Sequence, residues 1–221
     1  MELRQIGWIE TCYQEKFGAP RQSGVVPEAW GKVKFCEDYQ DPNLLRGLDG
    51  FSHLWLIFEF HKASSVNNKA LVRPPRLGGN EKLGVFATRS PFRPNSLGLS
   101  VVEIDHIELS TDAGPVIHVK GVDLVDGTPI YDIKPYIPYC DAVPEAQGGF
   151  VTGAPELMPV VWSCDLEDVK LRRLIEQTLA VDPRPAYHDE DGREYGCRID
   201  RYNVRWLVAD GSIEILSCAI V

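Results

Sequence analysis

The sequence predicts a mainly-β protein: a closed sheet over the first two-thirds of the chain, followed by a small α+β unit. Three observations predict it. From residue 3 to residue 136 the apolar runs are rich in Val, Ile and aromatics. They are separated by Gly, Pro, Asn or Asp, and no helical pattern alternates with them. Residues 143–159 then turn to Pro, Gly, Ala and Glu, and beyond them the apolar spacing becomes helical before two last strand-like runs. Successive strands without intervening helices point to a closed or nearly closed sheet, which leaves few unpaired edges. The pattern is not that of a doubly wound nucleotide-binding fold, and no G-x-G-x-x-G follows a strand.

In chain order, the expected strands are 3–13, 33–36, 53–60, 84–88, 97–109, 116–122 and 131–136. Among them only 41–46 reads as helical. Thr111, Asp112, Ala113, Gly114 and Pro115 supply a hairpin connection, each being a turn residue. Past 143–159, Asp165 is placed to cap a helix in which Leu171, Leu174, Ile175, Thr178 and Leu179 share a face, ending before Pro183. Residues 195–208 and 212–221 read as strands joined around Ala209, Asp210 and Gly211. The expected division is a barrel domain at 1–145, a linker at 146–159 and a helix-plus-hairpin domain at 160–221.

The chain of 221 residues is long enough to bury a substantial core. No apolar run approaches membrane-spanning length, and the first residues lack the basic-then-apolar layout of a secretory signal, so a cytoplasmic protein is expected. Six scattered cysteines without a C-x-x-C pair point to reduced thiols, with no metal site expected. A net charge of −9 speaks against nucleic-acid binding, yet residues 61–100 hold Lys62, Lys69, Arg73, Arg76, Lys82, Arg89 and Arg93 against Glu81 alone. That local excess of +6 leaves −15 on the rest of the chain, which suits steering one polyanion to one face.

Chemistry concentrates in residues 84–100, GVFATRSPFRPNSLGLS. Val85, Phe86 and Ala87 read as a short strand running into Arg89, Ser90, Pro91, Phe92, Arg93, Pro94 and Asn95. Two prolines fix φ and remove two donors, leaving a stiff turn that carries two guanidinium groups and an amide. Composition alone is equally consistent with a structural corner. Four further blocks stand out: PRQ at 20–22, FEFHK at 58–62, VRPPRLGG at 72–79 and DLVDGTPIYDIKPY at 123–136. A fifth, DPRPAY, lies at 182–187.

In this order and over nearly the whole chain, these blocks resemble the TsaA-like family, the TrmO-type tRNA methyltransferases. The resemblance implies a single-sheet β-barrel that carries S-adenosylmethionine, followed by a small C-terminal domain. It implies cofactor contacts at Pro20, Arg21 and Gln22, at His61 and Lys62, at Arg89 and Leu99, and at Asp126, Gly127, Thr128 and Pro129. Arg21 and Arg89 are forked donors suited to a carboxylate. Residues 126–129 form a turn whose backbone can approach a ligand closely, although Asp-Gly-Thr-Pro by itself is an ordinary turn signal. Lys62 departs from the glutamine expected beside the histidine.

The implied substrate is a tRNA whose adenosine next to the anticodon already carries an N6-threonylcarbamoyl group, and the methyl goes to N6. Asn95, Tyr131 and Asp132 are the candidates near the reacting proton, by location beside the cofactor blocks. For tRNA, Arg198, Arg201 and Arg205 interleave with Tyr195, Tyr202 and Trp206, pairing phosphate donors with faces on which a base can stack. On one continuous strand Arg198 and Tyr202 would share one face, and Arg201 and Arg205 the other. Arg184 sits in the rigid DPRPAY loop. A homodimer is implied by the resemblance alone, with no DNA partner. Two alternatives stay open: a methyltransferase of the same fold with a non-RNA acceptor, and a non-catalytic barrel that binds a nucleotide-like ligand.

Overall fold

The computed structural model describes residues 2–63, 69–75, 81–185 and 191–221. The chain begins with β1 (Gly7–Thr11), β2 (Trp30–Phe35) and β3 (His53–Glu59). Two short strands, β4 (Leu71–Val72) and β5 (Leu83–Gly84), pair with each other. Then come β6 (Leu97–Glu108), β7 (Val116–Lys120) and β8 (Thr128–Pro135). Six of these close a barrel in the order β1-β2-β7-β6-β3-β8, with every pair antiparallel and β8 returning to β1.

Alternation along each strand fills the barrel. Leu54, Leu56 and Phe58 of β3 point inward and Trp55, Ile57 and Glu59 outward, as period-two geometry requires. Gly98 of β6 lies inside because the Phe58 ring takes its space: a Cβ there would come within 2.3 Å of that ring. Register shifts at Ile57/Phe58 and at Ile104/His106 bend the sheet enough to close.

One expectation for the barrel part is corrected. Residues 84–88 are not a strand: β5 ends at Gly84, and Val85–Ala87 makes a 3-10 turn that buries Val85 and leaves Phe86 76% exposed. The Thr88 hydroxyl closes this turn on the Val85 carbonyl at 2.9 Å, a local bond that competes with any ladder. The segment 41–46 is helical as expected, a 3-10 helix at Pro42–Leu45 capped by the Asp41 side chain.

After α1 (Pro138–Asp141), residues 142–159 hold neither helix nor strand. The C-terminal part contains β9 (Val160–Trp162), α2 (Val169–Ala180), β10 (Glu194–Ile199), β11 (Tyr202–Ala209) and β12 (Ser212–Ile220). Its sheet runs β10-β11-β12-β9, with β9 parallel to β12 and the other pairs antiparallel. The buried residues of α2 are Leu171, Leu174, Ile175, Thr178 and Leu179, as spacing predicts. Its cap is Asp168 rather than Asp165. The Asp168 carboxylate accepts the backbone N–H groups of Lys170 and Leu171 at 3.1 Å, which Asp165, three residues earlier, does not do.

The run 195–208 is two strands, not one, because Asp200 with φ 53° turns the chain. Arg198 and Arg205 therefore share the open face of the sheet, whereas Tyr202 lies on the side of Ile199. Trp206 and Tyr195 face the core and stack on each other at 4.8 Å. Neither is available as a platform for an RNA base. One core runs through both parts of the chain. The segment after β1 welds them: the Tyr13 hydroxyl meets the Thr178 hydroxyl at 3.1 Å in the interior, and the Asp200 N–H donates to the Cys12 carbonyl at 2.7 Å.

Candidate active site

Four of the blocks that stand apart in the sequence, 20–22, 58–62, 84–100 and 123–136, come together at two places on the barrel. The first meeting point joins residues 20–23 to the 84–100 block. The Arg89 guanidinium donates to the Gln22 side-chain carbonyl, across 67 positions of sequence. Beside them Asp123 receives the Ser100 hydroxyl at 2.7 Å and the backbone N–H of Ser23, with the Arg89 charge acting on the same carboxyl. Ser100 points inward from β6, so this carboxyl is anchored on the barrel wall. Burial pushes the Asp123 carboxyl up to about 6, against the pull of Ser100 and Arg89.

The second meeting point gathers the ends of β3 and β8 with the turn at 126–129. Gly127 takes φ +76°, and open space surrounds the position a Cβ would occupy, so the backbone is bare on that side. The turn is pinned from behind. The Thr11 N–H donates to the Asp126 carboxylate at 2.9 Å, the Asp126 N–H to the Tyr13 carbonyl at 2.7 Å, and the Gly127 N–H to the Ile9 carbonyl at 2.9 Å. The Thr128 hydroxyl closes it on the Val125 carbonyl at 2.5 Å, and Pro129 pairs with Trp8.

His61 lies within the electrostatic reach of Glu59, Lys62, Lys16 and Asp126. Partial enclosure, then the Lys62 ammonium, holds its imidazole below the ordinary value. Lys62 donates to the Gln14 carbonyl at 2.9 Å, and Lys16 donates to the Lys62 carbonyl. The Tyr131 hydroxyl, beside the register shift between β3 and β8, donates to Glu59 at 2.7 Å. That bond to a carboxylate, with some burial, raises the phenol above its ordinary value.

Other candidates lie elsewhere. Leu99 is on the opposite face of β6 from Ser100 and is 52% exposed. With Trp55, Ile57 and Lys134 it lines an open groove of about 490 Å³ on the outside of the barrel. Asp132 is in the same cross-strand row and pairs with Lys134 at 3.1 Å. Asn95 is exposed, and its carbonyl accepts the Leu97 N–H at 2.6 Å. Pro20 is buried.

The DPRPAY loop reaches the site from the C-terminal part. The Arg184 carbonyl accepts from Arg21 at 3.1 Å, while the Arg184 guanidinium forks onto Asp182 at 2.8 and 2.9 Å. Arg201 lies 3.9 Å from Asp168, and Arg205 pairs with Glu194. Arg76, the end of the 72–79 block and Tyr187 lie outside the described residues.

Sequence reasoning missed Asp123, Ser100, Ser23 and Glu59. Asp123 opens the 123–136 block and Ser100 closes the 84–100 block, but nothing in either block marks them as partners. The donor set suits a ligand with a carboxylate at one end and positive charge elsewhere: guanidinium groups at Arg21 and Arg89, carboxyls at Asp123 and Glu59, and a bare backbone turn at Gly127.

Comparison with known proteins gives matching family models over most of the chain. The model for the tRNA-methyltransferase O N-terminal domain covers residues 8–142, and that for the TrmO C-terminal domain covers residues 154–220. The tRNA (adenine(37)-N6)-methyltransferase of Escherichia coli strain K12 is 40% identical over 228 residues, covering 98% of this chain and 97% of that protein. A protein of Pseudomonas aeruginosa named putative S-adenosylmethionine-dependent methyltransferase RcsF is 44% identical over 212 residues, covering 91% of this chain and 90% of that one. The crystal structure of TrmO from Pseudomonas aeruginosa superposes with a TM-score of 0.79 at 36% identity, covering 99% of this chain and 98% of that chain.

Proposed function

The chain belongs to the TrmO family, and from that premise we propose that the tRNA adenine whose N6 it methylates with S-adenosylmethionine is one next to the anticodon that already carries a threonylcarbamoyl group. The single observation that supports the site is the convergence of residues 20–23, Arg89 and Asp123 through the Gln22–Arg89 hydrogen bond. Bound there, S-adenosylmethionine supplies an electrophilic methyl group on a cationic sulfur. Arg21 and Arg89 hold a carboxylate, Pro20 and Gln22 set their loop, and the turn at Asp126, Gly127, Thr128 and Pro129 offers backbone partners to a planar base. His61 and Lys62 close the site beside it, and Leu99 stands at the outer groove. Orientation of this kind contributes roughly 7–11 kcal/mol in favourable cases.

The acceptor nitrogen shares its lone pair with the purine and with the carbamoyl group, so it is a weak nucleophile whose proton is correspondingly acidic. In this reading Tyr131 takes that proton on its phenol oxygen as its own passes to Glu59, along the 2.7 Å hydrogen bond already present. Asn95 and Asp132, the other two candidates, take no part in that hydrogen bond: Asn95 is exposed and Asp132 pairs with Lys134. Arg198 and Arg205, on the open face of the C-terminal sheet, meet tRNA phosphates, with Arg201 at its margin, while Arg184, its guanidinium held on Asp182, contributes least.

The division into a barrel at 1–145, a linker at 146–159 and a C-terminal domain at 160–221 belongs to the same reading. So does a homodimer in which a second copy covers the groove lined by Trp55, Ile57 and Leu99. Among the described residues no helix is long and apolar enough to cross a membrane, which agrees with work on tRNA in the cytoplasm.

Mass spectrometry of digested tRNA tests the substrate. Purified protein and S-adenosylmethionine are incubated with tRNA bearing threonylcarbamoyladenosine, or with an unmodified transcript. One added methyl on the threonylcarbamoyl nucleoside alone is the expected result, and methylation of the unmodified transcript would refute it. Arg89→Ala should lose cofactor binding; an unchanged isotherm would sink the site assignment.

A further inference from the structure

Asp123 is the point at which three cofactor-site segments meet, and it belongs to none of the expected contacts. Residues 20–23 reach it through the Ser23 backbone N–H, the 84–100 block through the Arg89 charge, and β6 through the Ser100 hydroxyl at 2.7 Å. The residue keeps some exposure while its carboxyl is enclosed. We propose that Asp123 is a positioning residue of the cofactor site, whose carboxylate holds Arg89 and the 20–23 segment in the arrangement that receives the cofactor. The inference rests on the reading of the site given under Proposed function.

The geometry explains why a carboxylate is needed at this position. Arg89 is fixed at one side by the Gln22 amide oxygen, a neutral acceptor. The Asp123 carboxylate adds a nearby charge that acts on the same guanidinium, and an ionised neighbour biases its orientation in a way a neutral amide oxygen does not. The Ser23 N–H then follows Gln22 onto the same anchor, so loop and arginine move together. The Ser100 hydroxyl fastens that anchor to the barrel wall.

Electrostatics adds a readable signature. Enclosure raises the Asp123 carboxyl to about 6, while Ser100, the Ser23 N–H and Arg89 oppose the rise. Those are the groups that face it from β6, from the 20–23 segment and from the 84–100 block, and Arg89 carries the charge among them. A carboxyl poised there loses its proton when a cation settles nearby.

Isothermal titration of S-adenosylmethionine into the full-length protein, from pH 5 to pH 8 in buffers of differing ionisation heat, tests this. The wild type is expected to bind more weakly below pH 6 and to release a proton on binding near that pH. Asp123→Asn keeps an oxygen acceptor for Ser23 and Ser100 but no charge. It should bind about tenfold more weakly at pH 8, with a flat pH profile and no proton release. Ser100→Ala removes one group that lowers the carboxyl, so its binding midpoint should move to higher pH; this variant decides the matter if Asp123→Asn does not fold. Wild-type affinity with an unchanged pH profile in Asp123→Asn, or an unmoved midpoint in Ser100→Ala, overturns the inference. Arg89→Ala separates the two levels. If it binds normally the site reading itself fails, whereas if it loses binding while Asp123→Asn does not, only the role of Asp123 falls.

Discussion

Replacing Asp123 by Asn should stabilise the empty protein at pH 8, even as it weakens cofactor binding. Burial moves the carboxyl from the ordinary 3.8 to about 6, so the folded chain holds the proton more tightly than the unfolded one. The sign follows from linkage: stability from this group is greatest below pH 3.8 and is lost as pH rises through 6. At 1.36 kcal/mol per tenfold, the ionised carboxylate costs the fold about 3 kcal/mol in full, of which about 1.4 kcal/mol falls between pH 5 and pH 8. Asn does not titrate. The stability gap, variant minus wild type, should therefore grow by about 1.4 kcal/mol from pH 5 to pH 8, near half a molar in urea midpoint for a slope of about 2–3 kcal/mol/M. Urea unfolding of both proteins at the two pH values, followed by far-ultraviolet circular dichroism, reads it directly. Taking the difference cancels every other titrating group. A gap that is constant or shrinks toward pH 8 would refute a strained carboxylate at this position. A variant that is more stable and binds worse would show that strain is stored at the site for binding.

Two further outcomes concern the C-terminal part. Tyr13→Phe strands the buried Thr178 hydroxyl and should cost about 1–2 kcal/mol in urea unfolding; Thr178→Val in the same protein should recover most of it, and additive losses would show that the two hydroxyls do not depend on each other. Arg198→Ala combined with Arg205→Ala should lower the salt dependence of tRNA binding, by about 0.7–0.9 in slope for each phosphate no longer neutralised. Arg184→Ala, whose guanidinium is held on Asp182, should leave that slope near wild type. Equal slopes in all three proteins would remove the open face of the sheet from the RNA surface.

The barrel was legible in the sequence because its strands alternate cleanly: Leu54, Leu56 and Phe58 inward against Trp55, Ile57 and Glu59 outward is a pattern that sequence displays. The face of α2 was legible for the same reason, since all five expected residues are buried. Failures came where a local hydrogen bond outweighed the pattern. The Thr88 hydroxyl curls 85–87 into a turn although Val, Phe and Ala suit a strand. Asp200 reverses 195–208 without a glycine or proline to announce it, and so moves Arg198 and Arg205 onto one face. The same reversal sends Trp206 and Tyr195 inward, which a reading of aromatics beside arginines as an RNA surface does not foresee.

The carboxyls of Asp123 and Asp126 set the limit on reading the site. They are the same residue type, three positions apart, in one loop. Asp126, which the family resemblance marks, spends its carboxylate on the Thr11 N–H and so shapes the turn that bares Gly127. Asp123, which opens the same block without being among the implied contacts, is enclosed against Ser100, and burial raises its carboxyl to about 6 beside Arg89. Their difference is made by strands that arrive from residues 11 and 100, and by a loop that arrives from residue 23. A linear motif names the residues that line a site; which of them carries charge there is decided by chain segments that the motif does not contain. The family blocks therefore marked the segments that gather at Arg89 and Gly127, while the contact that encloses Asp123 against Ser100 emerged only from the folded geometry.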